Sequence, residues 1–288
     1  MPETERVTWT FTDDVRAYAS HVEDLLADEP ERHTISLTVV ANALAGHETP
    51  DSLYAWWTDA DGKVTGCMSQ TPPYVPLVER APEESFAPLV RGLVHRRGAF
   101  LGINAPTDVA LPLISVAVHE TGSRAVLGHA TRLFRCADLT RPDRPADGTA
   151  RLAEDADVPL VVEWYRAFSE ESGATMATDV EEQVRVRMRT GHILLWCDAG
   201  GLPVAMSAAT APAYGVCRIG PVYTSPDHRQ LGYGAAVTHA STRLLLEAGH
   251  AAVLFTDLAN PTSNALYPRI GYRPVADRVW FDLVPQDS

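Results

Sequence analysis

Arg229, Gly232 and Gly234 stand in the stretch HRQLGYGAAV, residues 228–237. It holds two glycines, one arginine and no acid in a chain of formal net charge −13. The apolar run GVCRIGPVYTS before it reads as a strand ending at Thr224, and AAVTHASTRLLLEAG after it reads as a helix closed by Gly249. The first turn of a helix leaves backbone N–H groups unpaired at the positive end of the helix dipole. Glycines let an anion approach those groups closely, and Arg229 adds a full charge. The combination predicts an anion site suited to a pyrophosphate. The competing reading is a plain strand-to-helix turn in which glycine supplies an unusual dihedral. Two other phosphate motifs are excluded. A Walker loop requires a lysine that this turn lacks, and a dinucleotide fingerprint requires a third glycine where Val237 stands.

The elements that must position this turn are legible around it. DADVPLVVEWYRAFSEES (residues 155–172) carries Leu160, Val161, Trp164, Tyr165 and Phe168 at helical spacing, with Asp155 or Asp157 as cap. A second helix fits DVEEQVRVRMRTG. HILLWCDA and LPVAMSAATAPA read as strands joined by the hairpin signal Gly200-Gly201, and GVCRIGPVYTS as a third. Beyond the turn helix, AAVLFTDLA reads as a buried strand, NPTSNALYPRIG as a short helix and RPVADRVWFDL as a last strand. The segment from 138 to 157 is rich in proline and charge and reads as a linker. It places a boundary near residue 145, giving domains 1–145 and 146–288. The first half shows a helix at DDVRAYASHVEDLLADE, a hairpin turning at Asp59 to Gly62, a helix at PEESFAPLVRGLVHR and closing apolar runs.

Bulk properties narrow the function. The acidic balance argues against general nucleic-acid binding, which needs a basic face, and is compatible with a cationic partner. No apolar run approaches the ~18 to 20 residues that span a bilayer, so no membrane association is expected. The N-terminus lacks the basic start and apolar middle of a secretion signal, which makes a cytoplasmic location the expectation. Cys67, Cys136, Cys197 and Cys217 form no CxxC pair and no HExxH is present, so no metal is expected and the thiols read as reduced and buried.

RxxGxG at Arg229, Gly232 and Gly234 resembles the acetyl-coenzyme A signature of the GCN5-related N-acetyltransferases (GNAT). NPTSNALYPRIGY, residues 260–272, resembles that family's NxxAxxLYxxxGF element, with Ser263 in the small-residue place and Tyr272 replacing Phe. The resemblance covers residues 150–288. It implies that Val222, Tyr223 and Thr224 offer main chain to the pantetheine arm. It implies that Arg229, Gln230, Leu231, Gly232, Tyr233, Gly234 and Ala235 hold the pyrophosphate, and that Asn260 and Ser263 contact the arm. It places Tyr267 beside the sulfur as the acid that protonates the leaving thiolate, a role that suits a phenol of pKa ~10. Many members of the family carry a glutamate base on the strand before the loop. This strand has no carboxylate, and Glu163, Glu170, Glu171 and Asp257 are candidates elsewhere without one being assigned. Glu163, Trp164 and Phe168 lie on the helix expected near the acceptor, although an aromatic stripe at this spacing is more often core.

The first half has no copy of either motif. With a compatible element order, the resemblance implies a degenerate copy of the fold that binds no cosubstrate. The fold class expected is α/β, two GNAT-like domains, each a mixed, largely antiparallel twisted sheet flanked by helices. The function expected is acetyl transfer from acetyl-coenzyme A to a primary amine of a small molecule by direct attack, with an antibiotic or a polyamine-like metabolite as candidate acceptors. The alternative is a non-catalytic sensor of acyl-coenzyme A. Oligomeric state is left open.

Overall fold

The structure is a computed structural model that describes residues 7–173, 179–189 and 192–286. Along the first half run β1 (Thr8–Thr12), α1 (Val15–Asp28), α2 (Thr34–Leu44), β2 (Leu53–Thr58), β3 (Val64–Gln70) and β4 (Leu77–Val78). They are followed by α3 (Phe86–Arg97), β5 (Gly102–Pro106), α4 (Thr107–Thr121) and β6 (Ser123–Cys136). The second half opens with β7 (Thr149–Leu152), α5 (Val158–Ser172), α6 (Val180–Arg189), β8 (Ile193–Cys197), β9 (Pro203–Ala209) and β10 (Val216–Thr224). It closes with α7 (Tyr233–Glu247), β11 (Ala251–Asp257), α8 (Pro261–Arg269) and β12 (Tyr272–Pro285). The order β-α-α-β-β-β-α-β-α-β therefore occurs twice, the mark of two copies of one fold. The expected second helix in the second half corresponds to α6; its last two residues, 190 and 191, lie outside the described residues.

Contacts divide the chain into two compact units. One comprises residues up to Arg132, with Asp257–Ala259 and the chain from Ala276 onward; the other comprises Leu133–Thr256 and Asn260–Val275. This differs from a boundary near 145. The proline- and charge-rich segment belongs to the second unit, where Thr140 donates its N–H to the Ile270 carbonyl at 3.1 Å. Trp196 Nε1 donates to the Asp147 carbonyl at 2.7 Å. Composition marks this segment as surface chain, but strand pairing and anchoring set the unit's edge. The short β7 that follows it pairs antiparallel with β8, Arg151 opposite Leu195, and gave no sequence signal of its own.

In the first unit β1, β2, β3 and β4 pair antiparallel in turn, β4 pairs parallel with β5, and the later part of β12 pairs antiparallel with β5 from Arg278↔Pro106 to Asp282↔Gly102. Its core gathers Trp9, Trp57, Met68, Leu89, Leu93, Ile103 and Leu113. Trp9 Nε1 satisfies its buried donor on the Ser85 carbonyl at 2.8 Å. Glu79 and Arg278, 1% and 3% exposed, form an ion pair at 2.6 Å. Ser36 Oγ donates to the other Glu79 oxygen at 2.7 Å and Arg278 Nε donates to Asn104 Oδ1 at 3.2 Å. These bonds satisfy charges that burial would otherwise make very costly. The run LPLISVAV, too short to be assigned by periodicity, lies in α4 rather than in a strand.

In the second unit β7, β8, β9 and β10 pair antiparallel in turn, and β10 pairs parallel with β11. One apolar cluster joins Val161, Trp164, Tyr165, Val184, Leu195, Met206 and Tyr223; another joins Cys217, Ile219, Leu245, Ala252, Leu254, Tyr267 and Tyr272. Residues of α5 and α6 belong to the first cluster and residues of α7 and α8 to the second, so the sheet has helices on both faces. All four cysteines are free and buried. Among the described residues no helix is long and apolar enough to cross a membrane.

Candidate active site

The site begins with a break in strand pairing. The parallel register between β10 and β11 runs from Val216↔Ala251 to Ile219↔Leu254, while β10 continues to Thr224. Between Ile219 and Val222 the pairing with β9 is also irregular. Gly220, at φ +150, and Pro221, which has no N–H to give, occupy this bulge. A bulge shifts the alternation of side chains by one. Before it Cys217 and Ile219 enter the cluster of α7 and α8; after it Tyr223 enters the cluster of α5 and α6, its ring 6.0 Å from that of Trp164. The edge of Val222, Tyr223 and Thr224 toward β11 lies beyond the ladder, and all three line a cavity of about 940 Å³.

The glycine turn closes one end of that cavity. Gly232 caps α7 at φ +90 with no side-chain hydrogen bond, and Gln230 also takes a left-handed φ of +65. The first bond within α7 is Ala236 N–H to the Gly232 carbonyl at 3.0 Å. The N–H groups of Tyr233, Gly234 and Ala235 precede it at the positive end of the helix. Gly234 has little room to spare: a Cβ there would meet Thr224 Oγ1 at 3.3 Å. Gln230, Gly232, Tyr233, Gly234 and Ala235 line the cavity, whereas Leu231, 57% exposed, does not.

Arg229 is engaged differently from the sequence expectation. It lines the cavity, but its Nη2 donates to both Glu171 carboxylate oxygens at 2.7 and 2.9 Å and its Nε donates to the Thr224 carbonyl at 3.1 Å. Tyr223 O–H also donates to Glu171, at 3.3 Å. A carboxylate 58 positions away along the chain thus already meets the charge assigned to an anion. No sequence pattern announces that pairing.

The other end of the cavity is built by α8. Asn260 caps this helix, its Oδ1 accepting from Ser263 N–H at 3.1 Å, and both residues line the cavity. Tyr267 lies in the same wall, 8% exposed, its ring 5.9 Å from Tyr272 and tilted to it by 63°. Burial pushes the Tyr267 phenol up to about 12, so it keeps its proton at neutral pH. Tyr272, where the family pattern has Phe, places its extra hydroxyl 2.6 Å from Thr242 Oγ1.

The acceptor candidates separate. Phe168 lines the cavity; Trp164 is buried in the core and Glu163 is exposed and outside the lining. Helical periodicity explains this: Trp164 is on the buried stripe of α5, and Glu163 falls on its solvent side. Of the candidate bases, Glu171 lines the cavity in its pair with Arg229, while Asp257 belongs to the first unit, its Oδ1 accepting from Ala259 N–H at 2.7 Å. Pro142, Asp143 and Arg144 also line the cavity, from a segment that sequence reading treated as a linker.

Residues 200–281, from the β8–β9 turn into β12, match the family model described as FR47-like protein. No curated protein matches the chain in sequence. The fold is similar over its whole length to a GCN5-related N-acetyltransferase from Sphaerobacter thermophilus, with 16% identity, TM-score 0.66 and coverage of 100% of this chain and 99% of that one. A GNAT-family acetyltransferase from Colwellia psychrerythraea aligns at 11% identity and TM-score 0.63, over 96% of this chain and 100% of its own. A tandem GNAT protein from the clavulanic acid biosynthesis pathway aligns at 16% identity and TM-score 0.61, over 97% and 100%. The doubled element order and these likenesses agree on two GNAT-like domains in one chain. The fold is that of the GCN5-related N-acetyltransferases, and the FR47-like match falls in its second half.

Proposed function

We propose that the second unit transfers an acetyl group from acetyl-coenzyme A to a primary amine of a small molecule. The observation that carries this reading is one cavity that unites the glycine turn before α7, the open edge of β10 and the phenol of Tyr267. Bound there, the thioester supplies an activated acetyl group. The turn fits its pyrophosphate because the first N–H groups of α7 lie at glycines that line the cavity and carry no side chain of their own. Val222, Tyr223 and Thr224 offer main-chain groups to an extended arm, and Asn260 and Ser263 flank its path. Tyr267 holds the proton that the departing sulfur takes when the amine nitrogen bonds the acetyl carbon. The amine attacks as the neutral base and gives up its extra proton to water. A small-molecule acceptor, cationic in solution, suits the chain's negative charge.

The first unit acts as a copy without cosubstrate. Where the second unit has Gly232 and Gly234, the first has Glu79 to Ser85 between β4 and α3, with Glu83 and Glu84 at the helical start. Those carboxylates meet the helix dipole themselves and repel a phosphate.

Two outcomes follow for the active unit. Gly232→Asp should weaken acetyl-coenzyme A binding roughly 10- to 100-fold, because it sets a carboxylate beside the pyrophosphate. Gly232→Asn has nearly the same shape and tolerance of the left-handed backbone without the charge and is the control. Equal affinities for the two variants, read by titration calorimetry, would contradict the assignment. The second outcome concerns pH. With its pKa near 12, Tyr267 stays protonated across the working range, so no loss of kcat from its ionisation should appear below about pH 11. A fall in kcat near pH 8 that disappears in Tyr267→Phe would contradict this.

The proposal is tested by thiol release from acetyl-coenzyme A with a panel of primary amines. Amine-dependent release supports transfer. Tight binding with no release for any amine would favour the non-catalytic sensor instead.

A further inference from the structure

We propose that Arg144, on the segment 138–148, supplies the positive charge that meets the cosubstrate's pyrophosphate, the task the sequence motif assigns to Arg229. This inference rests on the acetyl-coenzyme A reading of the cavity.

The segment is fastened at both ends. At its start, Ala137 N–H donates to the Gly271 carbonyl at 3.0 Å, and the backbones approach so closely that a Cβ at Gly271 would collide with the Asp138 carbonyl. At its far end, a Cβ on Gly148 would collide with the Cys197 carbonyl. Between these points Tyr233, the first residue of α7, donates its hydroxyl to Asp147 Oδ1 at 2.6 Å.

The fastened chain passes over the glycine turn. The Arg144 carbonyl lies 3.4 Å from where a Cβ of Gly232 would be, and Pro142, Asp143 and Arg144 line the same cavity as Gly232, Gly234 and Ala235. Pro145 restricts the backbone of Arg144 before it, and Pro142 fixes its own φ two positions earlier, which lowers the backbone entropy lost when the segment holds an anion. Charge availability separates the two arginines. Glu171 meets the guanidinium of Arg229 with both oxygens, whereas among the described residues no ion pair engages Arg144, which is exposed. Asp143 sits beside it in the lining, so the local field at the turn depends on which of these two side chains lies nearer the anion. An arriving pyrophosphate attracts Arg144 and repels Asp143.

The test titrates the full chain with acetyl-coenzyme A at several salt concentrations, as wild type, Arg144→Ala, Arg144→Lys and Arg229→Ala. Arg144→Ala should raise Kd about tenfold, the scale of one charge-assisted hydrogen bond. It should also flatten the salt dependence, because one screened attraction is gone. Arg144→Lys should recover part of the affinity and the slope, and Arg229→Ala should weaken binding less than Arg144→Ala. Dephospho-coenzyme A, which keeps the pyrophosphate and lacks the 3′-phosphate, should show the same loss on Arg144→Ala. Wild-type binding unaltered in affinity and slope by Arg144→Ala would overturn the inference and leave the site reading intact. So would a loss in affinity with an unaltered slope, or a loss that vanishes with dephospho-coenzyme A. Absence of wild-type binding would instead overturn the site reading, and the inference with it.

Discussion

Tyr267→Phe should lower kcat by roughly 10- to 1,000-fold, the range for loss of a general acid, while Kd for acetyl-coenzyme A stays nearly unchanged. The substitution removes one oxygen and leaves the ring. That ring packs edge-on against Tyr272 in a cluster with Ile219, Leu254 and Ile270, so the wall of the cavity keeps its shape. The expected loss falls on the step in which sulfur departs. Without the phenolic proton the thiolate must leave as an anion or wait for water in a largely apolar wall. Stopped-flow measurement of thiol release at saturating amine, beside calorimetry on the same variant, separates the two quantities. A variant with unaltered kcat would remove Tyr267 from the chemistry. One with equally reduced affinity would make it a packing residue.

Glu79→Ala should destabilise the first unit by about 3–5 kcal/mol, the cost of stranding one member of a buried ion pair. Arg278 keeps only its hydrogen bonds to Asn104 once Glu79 is gone, and at 3% exposure it has little access to water. Ser36 loses its acceptor in the same change. Replacing both charged residues at once, Glu79→Leu with Arg278→Met, should cost far less, because no charge is then left buried. Urea unfolding of the two variants checks this. A single variant as stable as the wild type would mean that water reaches Arg278 and that the pair does not hold the first unit together.

Much of this was legible in the sequence where the signal is local. The glycine turn, the short helix within NPTSNALYPRIG, the apolar periodicity of α5 and the hairpin at Gly200-Gly201 each depend on a few neighbouring residues, and each lies where the pattern put it. What was not legible depends on contacts far apart in the chain. Arg229 pairs with Glu171 from another helix, and Glu79 with Arg278 from the last strand. The segment at 138–148 looks like a linker because proline and charge mark exposed chain, yet exposed chain can still be fastened over a site. The Gly220-Pro221 bulge had a signal, a glycine and a proline inside a strand pattern. Such a pair marks a bulge, but the length of the apolar run around it favoured an unbroken strand.

The measurement that tests the account most directly is calorimetric titration of the purified chain with acetyl-coenzyme A, beside coenzyme A and NAD. Micromolar binding of acetyl-coenzyme A and coenzyme A with no heat from NAD is the expected result, since the turn before α7 suits a pyrophosphate but lacks the third glycine of a dinucleotide fingerprint. No binding of either coenzyme A form, or equal binding of NAD, would contradict the assignment of the cavity.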